Sequence, residues 1–206
     1  MAVPGKGLKA LILKDSDIAR AYKLAGAPAS RMRPPGLPSL LRIIVNQQVS
    51  VHAGRAIWAR LEAGLGRISV KTVLAVSETD LRGFGLSAAK TRYAKALAVA
   101  VSEGSLDLKG LERLSDDDVR EELTKVLGLG KWSADIYLMF ALDRPDIWPV
   151  GDLALAVALE RLLGLKTRPG PKEMEAIGEG WKPWRTDAAV MLWHFHKHAL
   201  DGKSSR

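Results

Sequence analysis

Two segments of helical period, one running up to Leu127 and the other starting beside Lys131, meet at the step Gly128-Leu129-Gly130. Such a step lets two helices approach closely, because glycine carries no Cβ and takes backbone angles closed to other residues. The second helix then begins with N–H groups that have no intrahelical partner, aimed outward with the positive end of the peptide dipoles. An anion such as a phosphate suits that place, and Lys131 adds charge beside it. On its own, a Gly-x-Gly between helices is most often only a tight helical hairpin. Downstream, the run Trp148-Pro149-Val150-Gly151-Asp152 sets one carboxylate directly before the apolar stretch LALAVAL. Locally the position reads first as an N-cap, and it can also carry a carboxylate used in chemistry beside a bound strand.

The rest of the chain reads as helix. Alternation of period two is nearly absent, and Ser, Asp and Gly punctuate short amphipathic runs, so the fold class expected is all-α. One or two helices are expected over 8–25, broken near Asp15, and another from Ser39. More follow over 52–64, 69–76, 78–84, 88–103 and 116–127, then from Trp132 to about Leu142, from Asp152 to about Leu163, and from Trp184 to His198. Ser115 and Asp118 resemble a capping box with Asp in place of Glu. The stretch ASRMRPPGLPS, 29–39, reads as an ordered crossing between two lobes, and the Gly, Pro and Lys-rich stretch before Trp184 as a connection.

Composition narrows the partners. Lys and Arg outnumber Asp and Glu by 31 to 23, a formal net charge of +8, which suits a polyanion bound by counterion release and equally suits ordinary solubility. With no cysteine in its 206 residues, the chain can form no disulfide, thiolate zinc site or cysteine-held iron–sulfur cluster. No apolar run is long enough to span a bilayer and no secretory leader is evident, so a cytoplasmic protein without membrane association is expected. His194 and His198 have the i, i+4 spacing of some metal sites, but no third ligand accompanies them. A cationic helix end is the other reading, and no metal site is expected.

Five blocks carry a resemblance: IIVNQQVSVHAGRAIW (43–58), LRGFGLSAAKTRYAKALA (81–98), LTKVLGLGKWSADIYLMFAL (123–142), WPVGDLAL (148–155) and WKPWRTDAAVMLW (181–193). In this order, over about 15–200, they resemble the helix-hairpin-helix DNA glycosylases, and within them the DNA-3-methyladenine glycosylase II branch in a compact form without its N-terminal α/β domain. The resemblance implies a two-lobed helical fold with a DNA-facing cleft. Residues 36–143 would form a central lobe with the hairpin, 8–35 and 144–200 a second lobe, and 201–206 a frayed tail.

What the resemblance implies for individual residues is specific. Asp152 matches the essential aspartate, which would stabilise the positive charge developing on the sugar. Trp132 and Trp193 match aromatics that receive a flipped, alkylated base, whereas Ile136 and Leu153 stand where tyrosines are usual. Gly128, Gly130 and Lys131 would hold the DNA backbone. Gln48, beside Gln47, matches the side chain that fills the gap left in the duplex, although a helix-ending polar patch remains open there. Relatives that cut the strand through a Schiff base carry lysine where Trp132 stands, so a monofunctional hydrolase is expected. It would act as a monomer on double-stranded DNA containing 3-methyladenine, and also 7-methylguanine or related adducts. No cofactor is expected beyond a monovalent cation between hairpin carbonyls and phosphate. A non-catalytic damage-sensing module and a bifunctional glycosylase/lyase are the alternatives.

Overall fold

In the computed structural model, residues 5–201 are described, and every regular element among them is helical. The tail expected to fray lies, from 202 onward, outside the described residues. The chain divides into two compact units, one made of residues 32–143 and the other of 1–31 with 144–206. None of the helices among the described residues is long and apolar enough to cross a membrane.

The central unit holds α3 (Leu37–Asn46), α4 (Val51–Leu65), α5 (Val70–Ala75), α6 (Glu78–Gly83), α7 (Ala88–Ser102), α8 (Asp116–Thr124) and α9 (Lys131–Phe140), with a 3-10 turn over Gly110–Arg113. Helix α3 packs on α4, α7 and α9 and is the apolar axis of the unit. Leu40, Ile44 and Val45 of α3 and Leu61, Leu81, Leu97, Leu123 and Leu138 of other helices of this unit are buried, each contributing about 1.5–3 kcal/mol of hydrophobic stabilisation. Serines start most of these helices. Ser50, Ser69, Ser77, Ser87 and Ser115 each accept the backbone N–H three residues on, satisfying one orphan donor apiece.

The unit built from both chain ends holds α1 (Lys6–Lys14), α2 (Ser16–Ala25), α10 (Leu153–Leu163), α11 (Pro171–Glu179) and α12 (Arg185–Asp201). Helix α12 packs on α1, α2 and α10. Asp15 makes the break between α1 and α2, its Oδ1 accepting from Asp17 N and Ile18 N, both at 2.9 Å. Arg20 donates to the Leu162 carbonyl and so ties α2 to the end of α10.

Three expectations change. Helix α3 starts at Leu37, not Ser39, because Pro38 fits the first turn and the Ser39 hydroxyl turns back to donate to the Pro34 carbonyl at 2.7 Å. The stretch read as a connection contains α11: Pro171 opens it, and Glu173 Oε2 reaches back to accept from Gly170 N at 2.8 Å. Around Ser115 only half of the box forms. The Asp118 carboxylate takes the Ser115 hydroxyl at 2.6 Å, since aspartate is one methylene shorter than the glutamate of a full box.

Candidate functional site

Helices α8 and α9 form the hairpin. Arg120 Nε donates to Asp135 Oδ1 at 2.7 Å, pinning one to the other. Asp135 is 1% exposed, and desolvation raises its pKa even though Arg120 opposes the shift. The two glycines of the turn answer different needs. Gly128 has φ +91° and lies so close to Tyr93 of α7 that a Cβ would stand 2.2 Å from Tyr93 Cγ. Gly130 has an ordinary φ of −96° and is the N-cap of α9 with no side-chain cap; a Cβ there would meet nothing within 4 Å. Its surroundings are open, and it places no side chain over the start of α9. Lys131 is exposed. Trp132, one residue and about 100° further round the helix, is half-buried.

Beside the turn lies the break after α3. Gln47 Nε2 donates to the Gly128 carbonyl at 2.9 Å and to Ser133 Oγ at 3.0 Å, so its side chain belongs to the hairpin scaffold. Gln48 is exposed with φ +52°, a left-handed conformation uncommon for a residue with a Cβ and concentrated at functional sites. Gln47, Gln48, Lys90, Tyr93, Gly128 and Gly130 line one open groove of about 650 Å³. The structure therefore brings together, in this unit, the hairpin glycines and both glutamines. Lys90 and Tyr93, which sequence reasoning passed over, complete the groove; both belong to one of the five blocks, where they read only as helix.

Asp152 sits in the other unit. Its Oδ1 accepts the Leu155 N–H at 2.8 Å, capping α10, and also the Trp193 indole N–H at 3.0 Å. One oxygen thus caps α10 and takes a side chain of α12 as well. The loop that carries it is braced to the start of α12. Arg185 Nε and Nη2 donate to Asp146 Oδ1 and Oδ2, each at 2.8 Å, and Thr186 Oγ1 bridges Arg144 O at 2.7 Å and Ile147 N at 3.0 Å. Two helical turns after this brace, Trp193 meets Asp152. Gly151 at φ +88° makes the turn into the cap.

Arg31, which sequence reading left inside the connector, stands with its guanidinium carbon 5.6 Å from the centre of the Trp193 ring. It retains solvent access, yet crowding around the guanidinium lowers its pKa by desolvation, and the Asp152 charge opposes that shift. His196, one turn beyond Trp193, has its pKa lowered by burial and then by Arg161, with Asp152 opposing.

The remaining aromatics serve the fold. Trp148 and Trp181 meet edge to face at 5.2 Å, with their indole N–H groups donated to Met174 O and Asp15 Oδ2. Tyr137 is fully buried, and its hydroxyl accepts Gly36 N–H. His194 Nε2 lies 2.8 Å from the Ala25 carbonyl, joining α12 to the end of α2. Among the described residues no group of three or more His, Cys, Asp or Glu could hold a metal ion.

Residues 41–183 match the model of the HhH-GPD superfamily of base excision DNA repair proteins. The chain is 27% identical to Bacillus subtilis YfjP over 162 residues, 75% of this chain and 56% of that one. It is 31% identical to DNA-3-methyladenine glycosylase 1 of Schizosaccharomyces pombe over 164 residues, 78% of this chain and 72% of that one. It thus spans a little over half of the first relative and under three quarters of the second. The solved structure of the S. pombe 3-methyladenine DNA glycosylase Mag1 in complex with abasic DNA superposes with a TM-score of 0.83 at 28% identity, covering 92% of this chain and 95% of that one.

Proposed function

Because this chain belongs to the HhH-GPD superfamily of base excision DNA repair proteins, we propose that it is a monofunctional DNA glycosylase that removes alkylated bases from double-stranded DNA and acts as a monomer. The observation that carries the reading is the Asp152 carboxylate, held through Oδ1 by both a helix N-terminus and the Trp193 indole. Breaking the N-glycosidic bond sends its electron pair to the base nitrogen and leaves positive charge on the sugar. A carboxylate fixed in place stabilises that charge without reorganising. Water then adds at C1′ and gives up a proton, leaving an abasic site and a free base.

The remaining residues supply binding. The start of α9, which has no side-chain cap, and Lys131 take a phosphate, and Gln48 fills the opened stack; Trp193 beside Asp152 in one unit, and Trp132 of α9 in the other, are each an aromatic surface suited to an electron-poor alkylated base, 3-methyladenine first and 7-methylguanine second. Trp132 has no amine, so no imine forms at its position. A monovalent cation at the hairpin belongs to the same proposal: the Gly128 carbonyl, which also accepts the Gln47 amide, would be one of its ligands, and the ion would add positive charge beside the phosphate.

The test compares base release from methylated duplex by the wild type and Asp152→Asn, with the freed bases identified by chromatography. Asparagine caps a helix as well as aspartate and can still accept the Trp193 N–H, so the variant keeps its fold and loses the charge. Release should fall about 100- to 1,000-fold, the scale of one preorganised electrostatic group. Equal release by both proteins refutes the assignment. Lesion binding without release by either supports a damage-sensing module, and a borohydride-trapped adduct supports a lyase.

A further inference from the structure

Helix α3 ends at Asn46, where its last carbonyls lose their helical partners. Lys90 of α7 reaches this end and donates from Nζ to Val45 O at 2.8 Å and to Gln47 O at 2.7 Å. The ammonium satisfies two carbonyls and sits at the negative end of the helix dipole. Lys95, one turn and a little more along α7, treats the end of α5 in the same way, donating to the carbonyls of Leu74 and Val76. A lysine that caps a helix end is thus an ordinary device of this fold. What differs at Lys90 is the residue it holds.

Gln47 is held at both ends. Its carbonyl is taken by Lys90, and its side-chain amide donates to the Gly128 carbonyl and Ser133 Oγ of the hairpin. The next residue is Gln48, exposed and in the left-handed region at φ +52°. A strained residue keeps its conformation only where its neighbours over-determine it. Here the hydrogen bonds of Gln47 to Lys90, Gly128 and Ser133, together with the Lys90 bond to Val45, do so.

We propose that Lys90 and Gln47 form a strap that holds Gln48 in register with the hairpin, making both of them positioning residues for nucleotide extrusion. The idea rests on the glycosylase reading of this chain, in which the hairpin grips a phosphate while Gln48 enters the stack. Successive phosphates of one strand lie about 3.4 Å apart along the axis, so grip and wedge work together only if their separation is fixed to well within one step. A strap of direct hydrogen bonds between the wedge loop and the turn provides that separation.

The experiment uses wild type, Gln48→Ala, Lys90→Met and the double variant. The probe is a duplex containing an abasic-site analogue with 2-aminopurine as its neighbour, whose fluorescence rises when the stack is opened. Lys90→Met should reduce the opened fraction roughly ten-fold, within the range for coupled residues in one hydrogen-bond network. Adding it to Gln48→Ala should bring no further loss, since both act through the same wedge. The salt dependence of binding to undamaged duplex should stay unchanged, whereas loss of a phosphate-contacting lysine lowers its slope by about 1. Gln47→Leu cuts only the leg to the hairpin and must show the same pattern, which covers the case of Lys90→Met failing to fold.

Additive losses in the double variant, or a reduced salt slope with normal stack opening, overturn the strap. So does the absence of any 2-aminopurine signal with the wild type. Base release from methylated duplex is scored separately. If it is missing while the 2-aminopurine signal and its non-additivity are present, the glycosylase reading falls and the strap stands.

Discussion

Replacing Gly128 by alanine tests the hairpin most directly, because two independent costs fall on one methyl group. The residue has φ +91°, and an L side chain in left-handed backbone costs roughly 1–2 kcal/mol. The new Cβ would also stand 2.2, 2.5 and 2.6 Å from Tyr93 Cγ, Cδ2 and Cβ. Rotating the tyrosine ring cannot relieve this, since the Tyr93 Cβ is itself too close; α7 or the turn has to move. Overpacking of this kind costs about 1–3 kcal/mol, for a total of about 2–5 kcal/mol. At roughly 2–4 °C per kcal/mol for a chain of this size, Tm should fall on the order of 10 °C. Gly130→Ala is the control. Its φ is ordinary and its Cβ enters open space, so only the weaker N-capping of alanine, about 1 kcal/mol, should be lost from stability, while affinity for duplex DNA drops. Urea unfolding and DNA titration of both variants decide the matter. Gly128→Ala as stable as wild type, or Gly130→Ala binding DNA normally, would refute this account of the two glycines.

Three further outcomes are expected. Trp193→Phe keeps an aromatic ring but removes the donor to Asp152 Oδ1; hydrogen bonds to charged groups contribute about 1.5–3 kcal/mol, so kcat should fall at least ten-fold with KM little changed, and an unaltered kcat in steady-state assays would count against the positioning role. Arg31→Met removes the cation 5.6 Å from the Trp193 ring, so release of cationic 7-methylguanine should rise by a few-fold, the scale of one cation–π contact; release at or below the wild-type rate contradicts this. Burial and Arg161 hold the His196 pKa below its ordinary 6.5, so the unfolded chain takes up that proton more readily. The contribution of this group to stability is then complete above about pH 6.5 and is lost as pH falls through the lower folded value. In urea titrations across that range, His196→Gln should show a shallower acid-side loss than wild type; identical slopes would discount the residue.

Much of the fold was legible because its signals are short-range. A serine three residues before an N–H it can accept starts α4, α5, α6, α7 and α8, and Asp15 and Asp152 do the same for α2 and α10. Helix α11 carried a comparable signal, Pro171 at the start and Glu173 reaching back to Gly170, but the surrounding glycines and prolines hid it. In the hairpin, the glycines were readable as a turn, though not which of them is pressed against a neighbour and which is open.

The sequence by itself determined where most of the helices begin, that a glycine turn at 128–130 joins two of them, and that Asp152 stands at the start of a helix. These depend on bonds between residues two to four apart, whose geometry is set by the helix repeat. Only the tertiary structure decided what the same side chains do besides. Trp193 reaches Asp152 across 41 residues, Gln47 reaches Gly128 across 81, and Lys90 reaches Gln47 across 43. Which side chains converge over such separations depends on how apolar helix faces pack and on braces such as Arg185 with Asp146. No spacing along the chain encodes that convergence, because it is a property of the packed helices together.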